Sequence, residues 1–332
     1  MLLLGIDTSC DDTSASLLEF RRNKPVIFTN IVSSQAEIHK KYGGVVPELA
    51  SRSHIEMIWP VVKEALAGRG LEELSAVSVC IGPGLIGSLL VGVSFAKALC
   101  YARDIPLTGV NHLEGHMLSA FLEEKKPAFP FIALIVSGGH TSLYLVDGFL
   151  KYKELGRTRD DAAGEAYDKV AKLLGLGYPG GPKIDALAAE GDPKAIPFPR
   201  AYLGGSFDFS FSGLKTAVVN YLRETGRRDE AHVKDIAASF QAAVTDVLVR
   251  KCEWAIKKLG VRRLAVAGGV ASNKGLRAKM EKMAQKREVD LFIPSPALCT
   301  DNAAMIAYAG YHHLKARHLA GPDLNPSAWL PL

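Results

Sequence analysis

Residues 131–148 read FIALIVSGGHTSLYLVDG: an apolar run that stops at Ser137, a small and polar turn, then a Thr/Ser-led apolar run. That pattern is a buried strand, a turn and a returning strand. Residues 2–19, LLLGIDTSCDDTSASLLE, repeat it, with apolar residues up to Asp7, a CDDT turn and an alternating run back. Two such hairpins about one lobe apart predict an internal duplication. Outward from the first hairpin come a second strand pair over 26–33, a helix over 48–67 with Trp59, Val62 and Leu66 on one side, and a buried strand AVSVCIGPG at 76–84. A small-residue helix follows over 85–102. Strand, turn and helix alternate, so the class is α/β.

Bulk properties agree with two lobes. At 332 residues the chain exceeds one ordinary domain of roughly 100 to 200 residues. With 48% hydrophobic and 23% charged residues it has enough apolar surface for two cores. A net charge of +5 tolerates a polyanionic partner without demanding one. Cys10, Cys80, Cys100, Cys252 and Cys299 are odd in number, far apart and without C-x-x-C, which reads as reduced thiols in the cytosol. The start MLLLGIDTS has no basic region and no cleavage site, so no signal peptide is expected. Leu85 to Ala102 is interrupted by Gly87, Ser88, Gly92, Ser94 and Lys97 and suits a packed helix better than a membrane span. The expectation is a soluble, cytoplasmic protein with no membrane contact.

Charged, Pro-bearing LEEKKPAFP (122–130) reads as a hinge. The expected lobes are 1–128, with 303–332 packing back on it, and 129–302, with a helical insert at about 150–240. Within the insert, 160–190 and 231–260 look helical, and AYLGGSFDFSFSGLK (201–215) reads as a loop over a cleft. Strand, Gly-Gly loop and helix then follow in RRLAVAGGVASNKGLRAKM, and DNAAMIAYAGYHHL is the last helix.

His112 and His116 stand four apart in NHLEGHM, on one face of a helix that Asn111 would cap. Two imidazoles so placed can share a metal ion, with a distant carboxylate completing the set. Two capping or surface histidines are the plain alternative. Turns 7–14 and 137–142 put Gly or Ser beside Asp and Thr at strand ends, where backbone N–H groups can cradle phosphate, and GGVASN (268–273) opens a helix whose amides favour an anion or ribose. Each alone is an ordinary turn. Three in this order describe the actin, sugar-kinase and Hsp70 superfamily, in which two duplicated ribonuclease-H-like lobes clamp a nucleotide. Asp168 lies four before Lys172, and Asp185 follows Tyr-Pro-Gly-Gly-Pro; both are surface ion-pair candidates or partners for ribose hydroxyls. Asp301 reads first as a helix N-cap.

Together GIDTSCDDT, GGVVPELASRSH, GPGLIGSLLVG, NHLEGHM, IVSGGHT, YDKVAKLLGLGYPGGP, FSFSGLKTA, GGVASN and CTDNAAMIA resemble the tRNA adenosine threonylcarbamoyltransferase (TsaD) family over almost the whole chain. The resemblance implies that His112, His116 and Asp301 bind one Fe2+ or Zn2+. It implies that Ile135, Val136, Ser137, Gly138 and Gly139 contact threonylcarbamoyl-AMP, and that Asp168, Gly181, Asp185 and Asn273 hold its nucleoside; ATP or ADP would occupy the same site. Ile135 and His140 stand where the archaeal and eukaryotic branch has Tyr and Asn, so the likeness is to the bacterial branch. The implied reaction moves the threonylcarbamoyl group to the exocyclic amine of the adenosine 3′ of the anticodon, in tRNAs reading codons that begin with A. Asp11 or Asp12 is the candidate to orient or deprotonate that amine. Implied partners are tRNA, a paralogous TsaB-type subunit and a TsaE-type ATPase; helix 85–102 is the candidate surface for the paralogue. For tRNA the chain offers basic pairs at 40/41, 157/159, 227/228 and 262/263.

Three rivals stand beside this reading. A metalloprotease would use His112, Glu114 and His116, but Glu114 lies roughly 200° around the helix from His112 and faces away. A small-molecule kinase of the superfamily explains the phosphate loops and leaves the histidines idle. A non-catalytic nucleotide-gated scaffold would bind metal without turnover.

Overall fold

The computed structural model describes residues 1–227 and 229–332. They form two compact units, Met1–Lys126 with Asp301–Leu332, and Pro127–Thr300.

In the first unit, β1 (Leu2–Asp7), β2 (Asp12–Arg21) and β3 (Lys24–Ser34) form an antiparallel meander; α1 (Ala36–Lys40) and α2 (Pro47–Leu66) follow. Then come β4 (Ala76–Gly82), α3 (Ile86–Arg103), β5 (Leu107–Asn111) and α4 (His112–Leu118). Strands β4 and β5 add in parallel, giving the order β3-β2-β1-β4-β5.

The second unit contains β6 (Phe131–Val136), β7 (Thr141–Gly148), β8 (Lys151–Arg157), α5 (Ala163–Leu173), α6 (Gly180–Ala188) and α7 (Ser212–Thr225). It continues through α8 (Glu230–Leu259), β9 (Arg263–Ala267), α9 (Lys274–Arg287), β10 (Asp290–Phe292) and α10 (Pro296–Cys299). Its sheet order, β10-β9-β6-β7-β8, is the first sheet's order read from the other edge. Again three antiparallel strands are followed by two parallel ones. The duplication predicted from the two hairpins is therefore present at the level of topology.

The last helix, α11 (Ala303–Lys315), lies on the first sheet. Its approach needs Gly5, where a Cβ would stand 2.2 Å from the Ala303 carbonyl oxygen. Its apolar residues Ala303, Met305, Ile306 and Ala309 are fully buried. Each unit has its own core, the first around Leu4, Ile6, Val62 and Val79, the second around Ile132, Leu134, Phe240 and Val266.

Three local expectations are corrected. Residues 26–33 belong to one long strand, β3, which pairs with β2 across a bulge. Trp59 is 45% exposed while Val62 and Leu66 are buried, because α2 turns Trp59 away from the sheet. Residues 201–211 are irregular, as expected of a loop, but Phe209 and Phe211 are buried in the second core and α7 starts already at Ser212. Alternate residues face inward, as in a strand, and the segment is strapped to residues 157–160. Phe209 bridges Thr158, Asp208 accepts from Arg159 at 2.8 Å, and Asp160 accepts from the Phe211 N–H at 2.8 Å.

One helix among the described residues, Ile86–Arg103, is long and apolar enough to cross a membrane by length and composition; it packs on β4 and α2.

Candidate metal and nucleoside sites

In the first unit β5 runs directly into α4, and Asn111 caps that helix by accepting the Leu113 N–H at 2.9 Å. The cap fixes the first turn, and the four-residue spacing puts His112 and His116 side by side, ring centroids 4.7 Å apart. Asp301 arrives from the start of α11. The N-cap there is Asn302, whose Oδ1 accepts from Met305 N at 3.2 Å, so the expectation that Asp301 caps this helix is corrected. The Asp301 side chain is free to turn instead toward the histidines: its Oδ1 lies 3.1 Å from His116 Nε2 and 3.5 Å from His112 Nε2. Close packing of α4 on α11 makes this possible, since a Cβ on Gly115 would stand 3.1 Å from Met305 and Ile306 side-chain carbons. Glu114 bolts the same two helices together, its Oε2 2.8 Å from His313 Nε2.

Two imidazole nitrogens and one carboxylate oxygen lie within 4.8 Å of one another. This donor set fits a divalent transition metal with open positions, and suits iron as well as zinc. The three groups are electrostatically coupled. Burial works against charge on His112, but Asp301 and Asp7 outweigh it and hold its pKa well above the ordinary imidazole value. Burial lowers that of His116. Despite its own burial, the Asp301 carboxyl is held well below the usual carboxylate range by the two histidines. Nearby, Asp12 opens β2 and its pKa is raised to about 7, mainly by burial, with Asp11 and Asp301 adding to it against the Ser34 hydrogen bond.

In the second unit, the turn after β6 meets the N-terminus of α5. A Cβ on Gly164 would stand 2.5 Å from the Ser137 carbonyl oxygen, and the Gly164 N–H donates to that oxygen at 3.1 Å. Gly138 and Gly139 have open space where a Cβ would be. The Ser137 N–H donates to the His140 carbonyl at 2.8 Å, which leaves the Gly138 and Gly139 amides as the candidate donors of this turn. Ile135 and Val136 are fully buried core side chains, and their backbone pairs with β7 and, at Ile135, with β9. Gly268, at φ +97°, brings the GGVASN loop against β6, where a Cβ would stand 2.4 Å from the Val136 carbonyl oxygen.

Asn273 caps α9, accepting from Leu276 N at 2.8 Å, and its amide donates to Gln241 Oε1 at 2.6 Å. Gln241 in turn donates to Asp185 Oδ1 at 3.0 Å. Asp185 also accepts the Lys274 N–H at 3.0 Å. Asp168 Oδ1 accepts the Gly180 N–H at 2.7 Å and so holds the Tyr-Pro-Gly-Gly-Pro turn. Gly181, next in that turn, has open space on its Cα. Asp168 and Asn273 both belong to the second unit. Gln241 is the hub that sequence reasoning missed, with Tyr167 Oη also 3.4 Å from its Oε1. A glutamine inside a long helix carries no sequence signal of its own.

Most of the basic pairs are engaged locally: Arg157 with Glu154, Arg159 with Asp208, Arg227 with Asp229 and Arg262 with Glu288. Arg228 lies outside the described residues.

Fold and site together define an α/β protein of two like-ordered sheets, each with helices packed against it. The fold is similar to that of HypF in its phosphate- and nucleotide-bound form (TM-score 0.60, 13% identity, 99% of this chain and 47% of that one). It is also similar to the activator of 2-hydroxyisocaproyl-CoA dehydratase from Clostridium difficile, solved with ADPNP (TM-score 0.54, 17% identity, 98% and 100%). Residues 26–308 match the family model described as TsaD, tRNA N6-adenosine threonylcarbamoyltransferase. A protein of that name from Thermodesulfovibrio yellowstonii is 57% identical over 338 residues, covering 100% of both chains. The chain belongs to the tRNA N6-adenosine threonylcarbamoyltransferase family, a family of transferases.

Proposed function

We propose that this enzyme transfers the threonylcarbamoyl group from threonylcarbamoyl-AMP to the exocyclic amine of the adenosine 3′ of the anticodon, in tRNAs reading codons that begin with A. The observation that carries the chemistry is the convergence of His112, His116 and Asp301 on one small volume. In this reading they hold one Fe2+ or Zn2+, which when bound supplies Lewis-acid polarisation of a carbonyl or neutralisation of phosphate. The chain's own groups do the rest. Gly138 and Gly139 offer backbone N–H donors for the charge that develops on the acyl oxygen or phosphate. Asp168, Gly181, Asp185 and Asn273 border the nucleoside, with Gln241 holding Asp185 and Asn273 in register. The same pocket would take ATP or ADP. Asp12, with its pKa raised to about 7, is suited to accept the amine's proton near neutral pH, with Asp11 beside it orienting the nucleophile.

The partners in this reading are tRNA, a TsaB-type paralogue and a TsaE-type ATPase. Support for a protein partner on the first unit comes from Ile55 and Trp59 of α2 and Ile86 and Leu90 of α3, all large, apolar and exposed on two helices that pack together. The metalloprotease reading loses its base, because Glu114 is buried against His313.

Reconstitution tests the proposal: the chain, both partners, ATP, threonine, bicarbonate, the adenylate-forming enzyme and unmodified tRNA, followed by nucleoside analysis. Threonylcarbamoyladenosine should appear only when this chain is present. Its absence from the full mixture would overturn the assignment.

A further inference from the structure

We infer that Asp7 is a positioning residue that selects the tautomer of His112, so that Nε2 rather than Nδ1 is the metal ligand. The inference rests on the metal reading above and goes beyond it. Asp7 ends β1 and is 1% exposed. Its Oδ2 lies 3.2 Å from His112 Nδ1, and its Oδ1 accepts the Ser9 N–H at 2.9 Å. The other ring nitrogen of His112 faces Asp301.

A carboxylate only accepts hydrogen bonds, so the nitrogen facing it must carry the hydrogen. When a metal ion replaces the proton on His112 the imidazole is neutral and has one such hydrogen, and Nε2 is then left with its lone pair toward Asp301 and the ion. Carboxylate–histidine–metal relays work this way in general. The two other groups near Nδ1 are weaker directors. Ser9 Oγ, 3.2 Å away, can donate or accept as it rotates. Cys80 shares the cluster with Asp7 and His112, but a thiol is a poor acceptor. His116 has no such support, since its Nδ1 is buried without a hydrogen-bond partner. Asp7 therefore directs one of the two rings, and its influence on the site should be correspondingly specific.

The Ser9 N–H makes the role testable, because it fixes which way an amide would sit. In Asp7→Asn the amide oxygen stays on the Ser9 N–H and the NH2 points at His112 Nδ1. Two donors cannot face each other, so the ring must place its hydrogen on Nε2 and lose the ligand lone pair. Asp7→Ala removes the same charge but leaves Ser9 Oγ able to accept from Nδ1. Tautomer control therefore ranks affinity as wild type, then Ala, then Asn. A packing role gives the opposite order for the variants, since Asn has the shape of Asp and Ala leaves a hole.

The experiment measures Zn2+ dissociation constants by chelator competition for the purified wild type, Asp7→Asn and Asp7→Ala. Thermal midpoints of the metal-free proteins serve as a check on folding. Asp7→Asn should bind roughly 10- to 100-fold more weakly than wild type and more weakly than Asp7→Ala. In the Zn2+-loaded wild type, ¹⁵N spectra should show the His112 hydrogen on Nδ1. Equal affinity of Asp7→Asn and wild type, a weaker Asp7→Ala than Asp7→Asn, or zinc on Nδ1 would each overturn the inference. Failure of the wild type itself to bind Zn2+ would instead strike the metal reading, and the inference with it.

Discussion

Asp12 is the residue whose environment makes the sharpest claim. Its pKa of about 7 lies above the ordinary carboxyl value, so the fold favours the protonated form. The stability this represents is fully present below about pH 4 and is lost as pH rises through about 7. A cation beside Asp301 removes one cause of the shift, so metal loading should move the midpoint down. A carboxyl ¹³C titration of metal-free and Zn2+-loaded protein would check both statements; a metal-free midpoint near 4 would remove the case for Asp12 as base. The nucleoside residues make a second claim. Losing one hydrogen-bond partner of the ligand costs about 1 to 3 kcal/mol, so Asp168→Ala should weaken ATP binding roughly 5- to 150-fold with metal content unchanged. Calorimetric titration measures this, and wild-type affinity would remove Asp168 from the site. Asn273→Ala should weaken binding too, but it also removes the cap of α9, at a further cost to stability of about 0.5 to 2 kcal/mol. At this scale the sequence displayed the donors and hid the wiring. His112, His116 and Asp301 stand out as residue types, whereas the contacts of Gln241, Asp7 and His313 depend on residues tens to hundreds of positions away.

Among the elements, α3 shows how composition can single out a residue that packing has already committed. Its glycines and serines suggest a helix built for close approach, and Gly92 in particular as the contact with a paralogue. Gly92 is buried instead, and a Cβ there would stand 2.5 Å from Thr8 Oγ1, inside the first unit. Gly92→Leu should therefore lower the thermal midpoint of the isolated chain, and any loss of pairing would follow from that. Leu90 is 45% exposed, so Leu90→Asp should leave the midpoint within about 2 °C and abolish co-purification with the TsaB-type partner. Retained pairing in Leu90→Asp would place the interface elsewhere. The hairpins were legible because their strands are buried on both faces and bounded by turns. The inward turn at 209–211 was not, because the glycines before it read as loop while Phe209 and Phe211 are committed to a core assembled from α5, α7 and α8.

For the whole molecule, the repeated sheet order carries the duplication that the two hairpins foreshadowed, and each copy carries a different set of candidate site residues. The first presents a metal set where β5 meets α4 and α11 begins; the second presents glycine amides and the Asp185–Gln241–Asn273 chain. The packing of α11 on the first sheet is what delivers Asp301 to the histidines from 185 residues beyond His116. The measurement that tests this account most directly is the metal content of purified wild type, His112→Ala and His116→Ala, taken with threonylcarbamoyl transfer by each in the reconstituted mixture. The account expects about one Fe2+ or Zn2+ per wild-type chain, and folded variants that lose both the metal and most of the transfer. Full metal content in both variants, or full transfer by metal-free variants, would contradict it.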